Sequence, residues 1–140
     1  MRAKALIDTG AMLAYINEDD EWYEECLFAM RQLQLPLATT SACLTEFFHL
    51  LGDHRRKLER AWRLILSDVI ELAPITAADL PEIERLMKQY ADRPMDFADA
   101  TLVHVANRES LTTILTVDHD DFETYRLKGR RKFRIVPARP

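Results

Sequence analysis

The architecture of the protein follows from a short stretch near the start of its chain, Ala5-Leu6-Ile7-Asp8-Thr9-Gly10-Ala11. An apolar run that ends at an aspartate is typical of a buried strand leading into the N-terminus of a helix. The segment from Thr113 to Val117 has the same character and ends at Asp118. Each aspartate alone would be an ordinary helix N-cap. Because ligands bind beyond the carboxyl ends of parallel strands, the pair instead predicts a site at that edge of a sheet.

The other apolar runs alternate with helical patterns along the whole chain. Strands are predicted at residues 4–7, 35–39, 69–72, 113–117 and 133–136. A first helix is predicted from Ala11 to about Asn17, and a second follows the caps Asp19 and Asp20. A third runs from Thr40 or Ser41 to near Gly52, and a fourth continues through Arg63. Two more begin at Thr76, with a kink or restart at Pro81, and at Asp96, ending at about Arg108. This alternation predicts an α/β fold with a central, mostly parallel sheet of four to five strands and helices on both faces.

The bulk composition indicates a single domain. The chain has 140 residues and is 48% hydrophobic, which suits one domain over residues 1–140 with 136–140 as a loose tail. The first apolar stretch is broken at Asp8, so we expect neither a secretory signal nor a membrane span. Cys26 and Cys43 have no metal-ligand spacing, which argues against a zinc or disulfide framework. The cytoplasm is therefore the expected compartment.

The net charge of −4 argues at first against an anionic partner such as nucleic acid. The distribution of charge weakens that argument, because basic residues form two clusters. The cluster near the C-terminus contains Arg126, Lys128, Arg130, Arg131, Lys132, Arg134 and Arg139. The cluster on a predicted helix contains Arg55, Arg56, Lys57, Arg60 and Arg63. An RNA substrate is compatible with this pattern.

A third aspartate lies on the apolar stripe of a predicted helix. Asp99 shares one helical face with Leu102, Val103 and Ala106 at spacings of three, four and seven residues. A carboxylate on a core-facing stripe is costly unless it is paired, hydrogen-bonded or bound to metal. Asp96 lies near the same face at the helix start, and both a cap and a metal-contacting role fit that position.

Glu46 precedes two aromatic residues at the edge of another apolar stripe, where it would alone be an ordinary boundary glutamate. If it converges with Asp8, Asp99 and Asp118, each pair at about 5 Å repels by roughly 3 kcal/mol at an effective dielectric of 20. Such a cluster requires bound protons or a divalent cation. Oxygen-only ligation favours Mg²⁺ or Mn²⁺, which can activate water for hydrolysis of a phosphodiester.

Four ordered motifs resemble those of the PIN-domain nucleases, and in particular of the VapC-type toxins of bacterial toxin–antitoxin pairs. The motifs span nearly the whole chain: Ala5-Leu6-Ile7-Asp8-Thr9-Gly10-Ala11, Thr45-Glu46-Phe47, Met95-Asp96-Phe97-Ala98-Asp99-Ala100, and Leu115-Thr116-Val117-Asp118 with Asp121-Phe122 after it. Each motif alone is weakly specific, whereas the four in this order and spacing are fairly specific.

The resemblance implies a function and a set of roles for these residues. It implies an Mg²⁺- or Mn²⁺-dependent endoribonuclease whose acidic metal ligands are Asp8, Glu46, Asp99 and Asp118. Thr9 and Thr116 match positions that often carry a hydroxyl near the site, and Asp96 and Asp121 match neighbouring acids. The resemblance also implies a small antitoxin partner and a homodimer. We expect the helix around Trp22 and Phe28 to be a candidate dimer surface.

Two other functions remain open from the sequence. One is a binding module that keeps the acidic fold and contacts protein or nucleic acid without cleaving it, which four intact acidic positions disfavour. The other is a nuclease that processes DNA, for which the sequence offers no discriminating residue. Phosphatases that form an aspartyl phosphate are disfavoured, because Gly10 stands where they carry a second aspartate.

Overall fold

The computed structural model describes residues 1–139 as a three-layer α/β structure. Five strands form its sheet: β1 (Leu6–Ile7), β2 (Leu37–Thr39), β3 (Ile70–Leu72), β4 (Thr113–Leu115) and β5 (Arg134–Val136). The helices of this part of the chain are α1 (Thr9–Ile16), α2 (Tyr23–Gln32), α3 (Ser41–Leu51), α4 (Arg55–Ile65), α5 (Leu80–Gln89), α6 (Phe97–Glu109) and α7 (His119–Thr124).

All five strands are parallel, in the order β3-β2-β1-β4-β5. The chain moves outward from β1 to β3 and then returns to the other side of β1 to add β4 and β5. Crossovers between parallel strands are right-handed, so helices made before and after this reversal cover opposite faces of the sheet. The predicted fold class is thereby confirmed. The reversal lies between β1 and β4, where Leu6 pairs with Ile114, and such a switch point is the usual ligand crevice of an open α/β sheet.

The core lies where the central strands meet the helices. Leu6 and Ile7 of β1 and Ile114 and Leu115 of β4 are completely buried, as expected for parallel strands that are covered on both faces. The edge strands β3 and β5 are only partly buried. Rigid central strands therefore hold whatever side chains follow Ile7 and Leu115.

The predicted restart at Pro81 is confirmed. A 3-10 turn over Ala77–Asp79 precedes α5, and Pro81 lies in the first turn of that helix, where its missing N–H is tolerated. The prediction that Asp19 and Asp20 cap α2 was wrong. The carboxylate of Asp20 accepts the backbone N–H of Trp22 at 2.8 Å, so it closes a turn before the helix begins.

The C-terminal segment and two further predictions can be placed on the structure. Residues 136–140, predicted as a loose tail, begin at the last residue of β5. Pro137 and Arg139 contact α7. Pro140 lies outside the described residues. Cys26 and Cys43 are buried and form no disulfide. Over residues 1–139, no helix is both long and apolar enough to cross a bilayer.

Candidate active site

Two of the predicted acids follow the central strands at the switch point of the sheet. Asp8 comes directly after β1 and caps α1 by accepting the backbone N–H of Ala11 at 3.0 Å. Asp118 caps α7 by accepting the backbone N–H of Asp121 at 3.1 Å. Both aspartates therefore act as helix caps, and the ordinary role that the sequence suggested for each is compatible with a place in a shared site.

Thr116 connects the ends of the two strands. Its hydroxyl donates to the carboxylate of Asp8 and accepts the backbone N–H of Asp118 at 2.9 Å. Thr116 itself is completely buried. One hydroxyl thus fixes the second oxygen of Asp8 and the backbone that carries Asp118. Thr9 serves a different contact, because its hydroxyl donates to the backbone carbonyl of Cys43 in α3 at 3.2 Å.

The start of α6 brings in a third acid. Asp96 caps this helix by accepting the backbone N–H of Asp99 at 2.7 Å, and Asp99 is half-buried one turn further on. The hydroxyl of the buried Tyr125 donates to the carboxylate of Asp99 at 2.9 Å. This bond orients Asp99 towards the loop and helix that follow β4.

One acid from α6 and two from the start of α7 come close together. Asp99, Asp118 and Asp121 each offer a carboxylate oxygen, and these three oxygens lie within 4.8 Å of one another. The guanidinium of Arg93 donates to Asp121 at 3.2 Å. Oxygens at this spacing are close enough to share one cation.

A cleft of about 430 Å³ joins this group to the remaining predicted acids. Six of the ten residues that line it in the described chain are acidic, and none is basic: Asp8, Thr9, Gly10, Glu46, Leu50, Asp96, Asp99, Val117, Asp118 and Asp121. Glu46 reaches the cleft from α3, and Thr116 lies behind its wall. The structure therefore brings every acid predicted for the site into one concave surface.

Burial and mutual repulsion raise the pKa values of these carboxyls. The pKa of Asp99 rises to about 8, first because of burial and then because of the charge of Asp96. Burial likewise raises the pKa of Asp8 to about 6, with the charges of Asp118 and Glu46 adding to it and the bonds from Thr116 and Ala11 opposing it. Partial burial and the neighbouring Asp121 raise the pKa of Asp118 to about 6.

A divalent cation fits this donor set. The ligand atoms are carboxylate oxygens, which hard cations prefer, and no histidine or cysteine lines the described cleft. The raised pKa values show that burial, and then the neighbouring acids, disfavour the ionised carboxylates, and a bound cation would offset that cost. The donor chemistry therefore matches Mg²⁺ or Mn²⁺ better than zinc.

Gly10 allows α1 to approach Val117 closely at the bottom of the cleft. A Cβ atom on Gly10 would lie 3.2 Å from Cγ2 of Val117, which is tighter than an ordinary contact. Because Gly10 lies in the first turn of α1 and Val117 precedes Asp118, the absent side chain lets the ends of β1 and β4 stay close.

Comparison with known proteins agrees with this geometry. The family model that describes the PIN domain matches residues 5–127, which is most of the chain. The chain belongs to the PIN domain family.

Other PIN proteins resemble this chain over nearly their whole length. Ribonuclease VapC26 of Mycobacterium tuberculosis is 29% identical over 146 residues, covering 94% of this chain and 99% of that protein. VapC20 of M. tuberculosis, described as a toxin that cleaves the sarcin-ricin loop, superimposes with a TM-score of 0.74 at 21% identity, over 83% of this chain and 91% of that one. VapBC2 from Rickettsia felis, solved with a DNA fragment from its promoter, superimposes with a TM-score of 0.66 at 16% identity, over 94% of this chain and 97% of that one. These two structures support the fold.

Sequence reasoning missed several residues that shape the PIN site. Tyr125 belongs to no quoted motif, and Arg93 lies in a loop without a pattern, yet each contacts an acid of the cleft. His119 belongs to no quoted motif either: it begins α7, is 6% exposed and donates from Nε2 to the carbonyl of Pro137. The three-residue spacing of Phe122 and Tyr125, which is helical, is the signal that could have indicated α7.

The two basic clusters are partly engaged within the PIN domain. The guanidinium of Arg139 bonds to Asp120 and Glu123, and that of Arg126 donates to backbone carbonyls. Arg60 bonds to Glu18 and to the carbonyl of Ile16. The side chains of the clusters that remain exposed include Arg55, Arg56, Arg63, Lys128, Arg130, Arg131, Lys132 and Arg134.

Proposed function

We propose that this protein is a metal-dependent endoribonuclease that hydrolyses RNA phosphodiester bonds and acts as the toxin of a toxin–antitoxin pair. The observation that carries the proposal is the cleft itself, where six acids and no base face one another at the switch point of a parallel sheet. Repulsion of this kind is retained where an external cation and its chemistry compensate for it. An RNA substrate places the protein in the cytoplasm.

The acids divide into ligands and supporting residues. Asp8, Glu46, Asp99 and Asp118 would hold Mg²⁺ or Mn²⁺, with Asp96 as an additional candidate ligand. The supporting residues act on those ligands: Thr116 orients Asp8 and the backbone of Asp118, Asp121 supplies a third nearby oxygen, and Thr9 fixes α1 against α3.

The reaction class follows from this chemistry. When bound, a divalent cation supplies Lewis-acid charge to phosphodiester hydrolysis, which stabilises the negative charge that develops at phosphorus. The chain contributes preorganisation, because hydrogen bonds from Ala11, Thr116 and Tyr125 hold the carboxylates of Asp8 and Asp99. The exposed arginines and lysines near the C-terminus and on α4 contact RNA phosphates outside the cleft.

RNA is favoured over DNA by the relative that aligns along almost the whole chain, Ribonuclease VapC26. VapC20, which shares the fold, is described as cleaving the sarcin-ricin loop, which is also RNA. A substrate of RNA rather than duplex DNA also agrees with the net charge of −4, since long duplex tracking needs a strongly basic surface.

Cleavage assays with isosteric variants test this function. Purified protein should cut single-stranded RNA when Mn²⁺ or Mg²⁺ is added, and Asp8→Asn or Asp118→Asn should lower the rate by at least about 100-fold. A single-stranded DNA of the same sequence serves as the control substrate. Equal cleavage by wild type and variants would contradict the proposal. Preferential cutting of DNA would favour a DNA-processing role, and metal binding without cleavage would favour a binding module.

The proposed antitoxin would supply the charge that the cleft lacks. A small partner that places an arginine or lysine among the six acids would both pair with them and block entry of RNA. Co-expression with the product of a small neighbouring gene should give a stable complex with no RNA cleavage. Normal cleavage by a purified complex would contradict this role for the partner.

A homodimer is the proposed form of the protein. Phe28 on α2 is 66% exposed, which is unusual for a large aromatic side chain and suits a subunit contact. Trp22 is only partly exposed and packs against His119, so it contributes less to such a surface. Sedimentation equilibrium should give twice the monomer mass, and Phe28→Glu should shift the protein towards monomer. A wild-type monomer would contradict the dimer.

A further inference from the structure

A second recess adjoins the acidic cleft on the side of β4. Its volume is about 190 Å³, and it is lined by Trp22, Val117, Asp118, His119, Asp120 and Arg139. Val117 and Asp118 line the acidic cleft as well, so the two depressions share a wall. Whatever occupies the recess therefore lies next to one of the proposed metal ligands.

Two aromatic side chains that line this recess, Trp22 and His119, pack against each other. The rings of Trp22 and His119 lie 5.4 Å apart between centroids with an interplanar angle of 38°. The imidazole is fixed from the other side, because Nε2 of His119 donates to the carbonyl of Pro137 at 2.8 Å. Trp22 is held by the bond from its backbone N–H to Asp20. The indole is thus a partly exposed aromatic surface on a rigid support.

The charges around the recess are already paired or negative. Arg139 bonds to Asp120 at 2.7 Å and to Glu123 at 3.1 Å, so its guanidinium is engaged by two carboxylates. Asp118 adds a further acid to the shared wall. A phosphate would be repelled here, whereas an uncharged planar group would meet an aromatic surface.

We infer that this recess binds one unpaired nucleobase of the RNA substrate, stacked on Trp22, beside the phosphate that is cleaved. The inference rests on the proposed nuclease function and refines its substrate. Stacking of bases on aromatic side chains is the common way in which proteins bind single strands. A recess of about 190 Å³ has no room for a base pair, and a base in a duplex would have to leave its stack to enter. The substrate is accordingly single-stranded at the point of cleavage.

Fluorescence of Trp22 tests this binding without relying on catalysis. The chain has two tryptophans, so Trp62→Phe leaves Trp22 as the only indole. Combined with Asp8→Asn, which prevents cleavage and lies outside the recess, this variant is titrated with a single-stranded RNA tetranucleotide. We expect saturable quenching of the Trp22 emission, because a stacked base quenches an indole directly.

A matched oligonucleotide separates stacking from general binding. An RNA of the same length and charge with abasic sites should quench much less, and a blunt duplex should not quench. Equal quenching by the abasic RNA, or no quenching by the intact RNA up to millimolar concentration, would overturn the inference. Cleavage by the wild-type protein is scored separately: if RNA is cut but Trp22 does not respond, only the base-binding inference fails, whereas absence of cleavage counts against the nuclease itself.

Steady-state kinetics give a second readout. Trp22→Ala should raise KM for single-stranded RNA by about 5-fold to 100-fold and change kcat much less, since stacking is a binding contact. Trp22→Phe should restore most of the affinity. The matched control is Trp62→Ala, which removes the other indole, a half-exposed side chain that lines neither depression. Equal KM effects at the two tryptophans, with normal thermal unfolding of all variants, would reject a specific role for Trp22.

Discussion

Two clusters of charged residues contact the same helix, α6, and they have opposite character. In the acidic cleft, Asp99 faces other carboxylates and its pKa is raised to about 8. In the second cluster, Asp79 accepts bonds from His104 at 2.8 Å and from Arg108 at 3.4 Å. Asp79 also accepts the backbone N–H of Thr76 at 2.8 Å, and these partners hold its pKa well below its ordinary value.

The comparison separates a carboxylate that stabilises the fold from one that we propose to bind a cation. Asp79 finds its positive charge and its donors inside the chain, so ionisation favours the folded state. Asp99 has one hydroxyl donor, Tyr125, and is otherwise surrounded by acids. Charge that is unbalanced within the chain indicates that the balancing charge comes from outside, which is the physical basis for proposing a cation in the cleft.

A matched pair of isosteric substitutions gives the largest expected contrast. Asp99→Asn should lower RNA cleavage by at least about 100-fold, because it removes a proposed metal ligand. The same change should stabilise the cation-free protein at neutral pH, since folding disfavours the ionised form of Asp99 that the unfolded chain adopts. Asp79→Asn should leave cleavage nearly unchanged and lower the urea concentration at the midpoint of unfolding, because it weakens the bonds from Thr76, His104 and Arg108.

Cleavage rates and urea unfolding in the presence of a chelator measure both effects. Asp99→Asn and Asp79→Asn act as controls for each other, because each replaces one carboxylate near α6. Stability changes of the same sign in the two variants would contradict the distinction between the clusters.

Addition of a cation should have the next largest effect. Mg²⁺ or Mn²⁺ at about 100 times its dissociation constant should raise the free energy of unfolding by about 2.7 kcal/mol. Calorimetry and thermal melts with and without chelator measure this gain. The gain should shrink in Asp8→Asn and persist in Asp79→Asn. If millimolar metal shifts no melting temperature and produces no heat, the cleft is not a metal site.

The dependence of stability on pH follows from the raised pKa of Asp99. The pKa rises from 3.8 to about 8, so the folded protein binds this proton more tightly than the unfolded chain does. Without metal, the contribution of Asp99 to stability should therefore fall between about pH 4 and pH 8, by at most about 1.4 kcal/mol per pH unit. Subtracting the profile of Asp99→Asn isolates this contribution, and identical slopes for the two proteins would refute it.

Tyr125→Phe should have the smallest effect. Loss of the hydroxyl removes the one side-chain donor to Asp99 that lowers its pKa, so that pKa should rise further. We expect metal affinity to fall by about 5-fold, the equivalent of about 1 kcal/mol for one hydrogen bond. Calorimetric titration with Mn²⁺ measures the change, and Tyr90→Phe, which removes a neighbouring hydroxyl bonded to the backbone of Arg126, is the matched control.

The sequence predicts the position of an acid best where a regular element precedes or contains it. Asp8 and Asp118 follow apolar runs, and Asp99 lies on a helical stripe, so strand and helix geometry alone bring them to one edge of the sheet. The Asp96 cap was predicted for the same reason and is confirmed by its bond to the backbone of Asp99.

Contacts between distant segments were beyond sequence reasoning. Helix α7 has only six residues, too few for a clear periodic pattern, and its placement brings Tyr125 onto Asp99. The charge of Arg139 was assigned to a basic tail, but its partners Asp120 and Glu123 become neighbours only after β5 pairs with β4. Counting charges along a chain does not reveal which of them neutralise one another.

The close approach at Gly10 means that the width of the cleft depends on a single hydrogen atom. A methyl group there would press on Val117 at 3.2 Å, and Val117 lies between Thr116 and Asp118. Relief of that pressure would move the loop after β4 by a few tenths of an ångström, and with it the carboxylate of Asp118, one of the proposed metal ligands. The spacing of the proposed ligands is thus set by backbone packing beneath the acids as well as by the acids themselves.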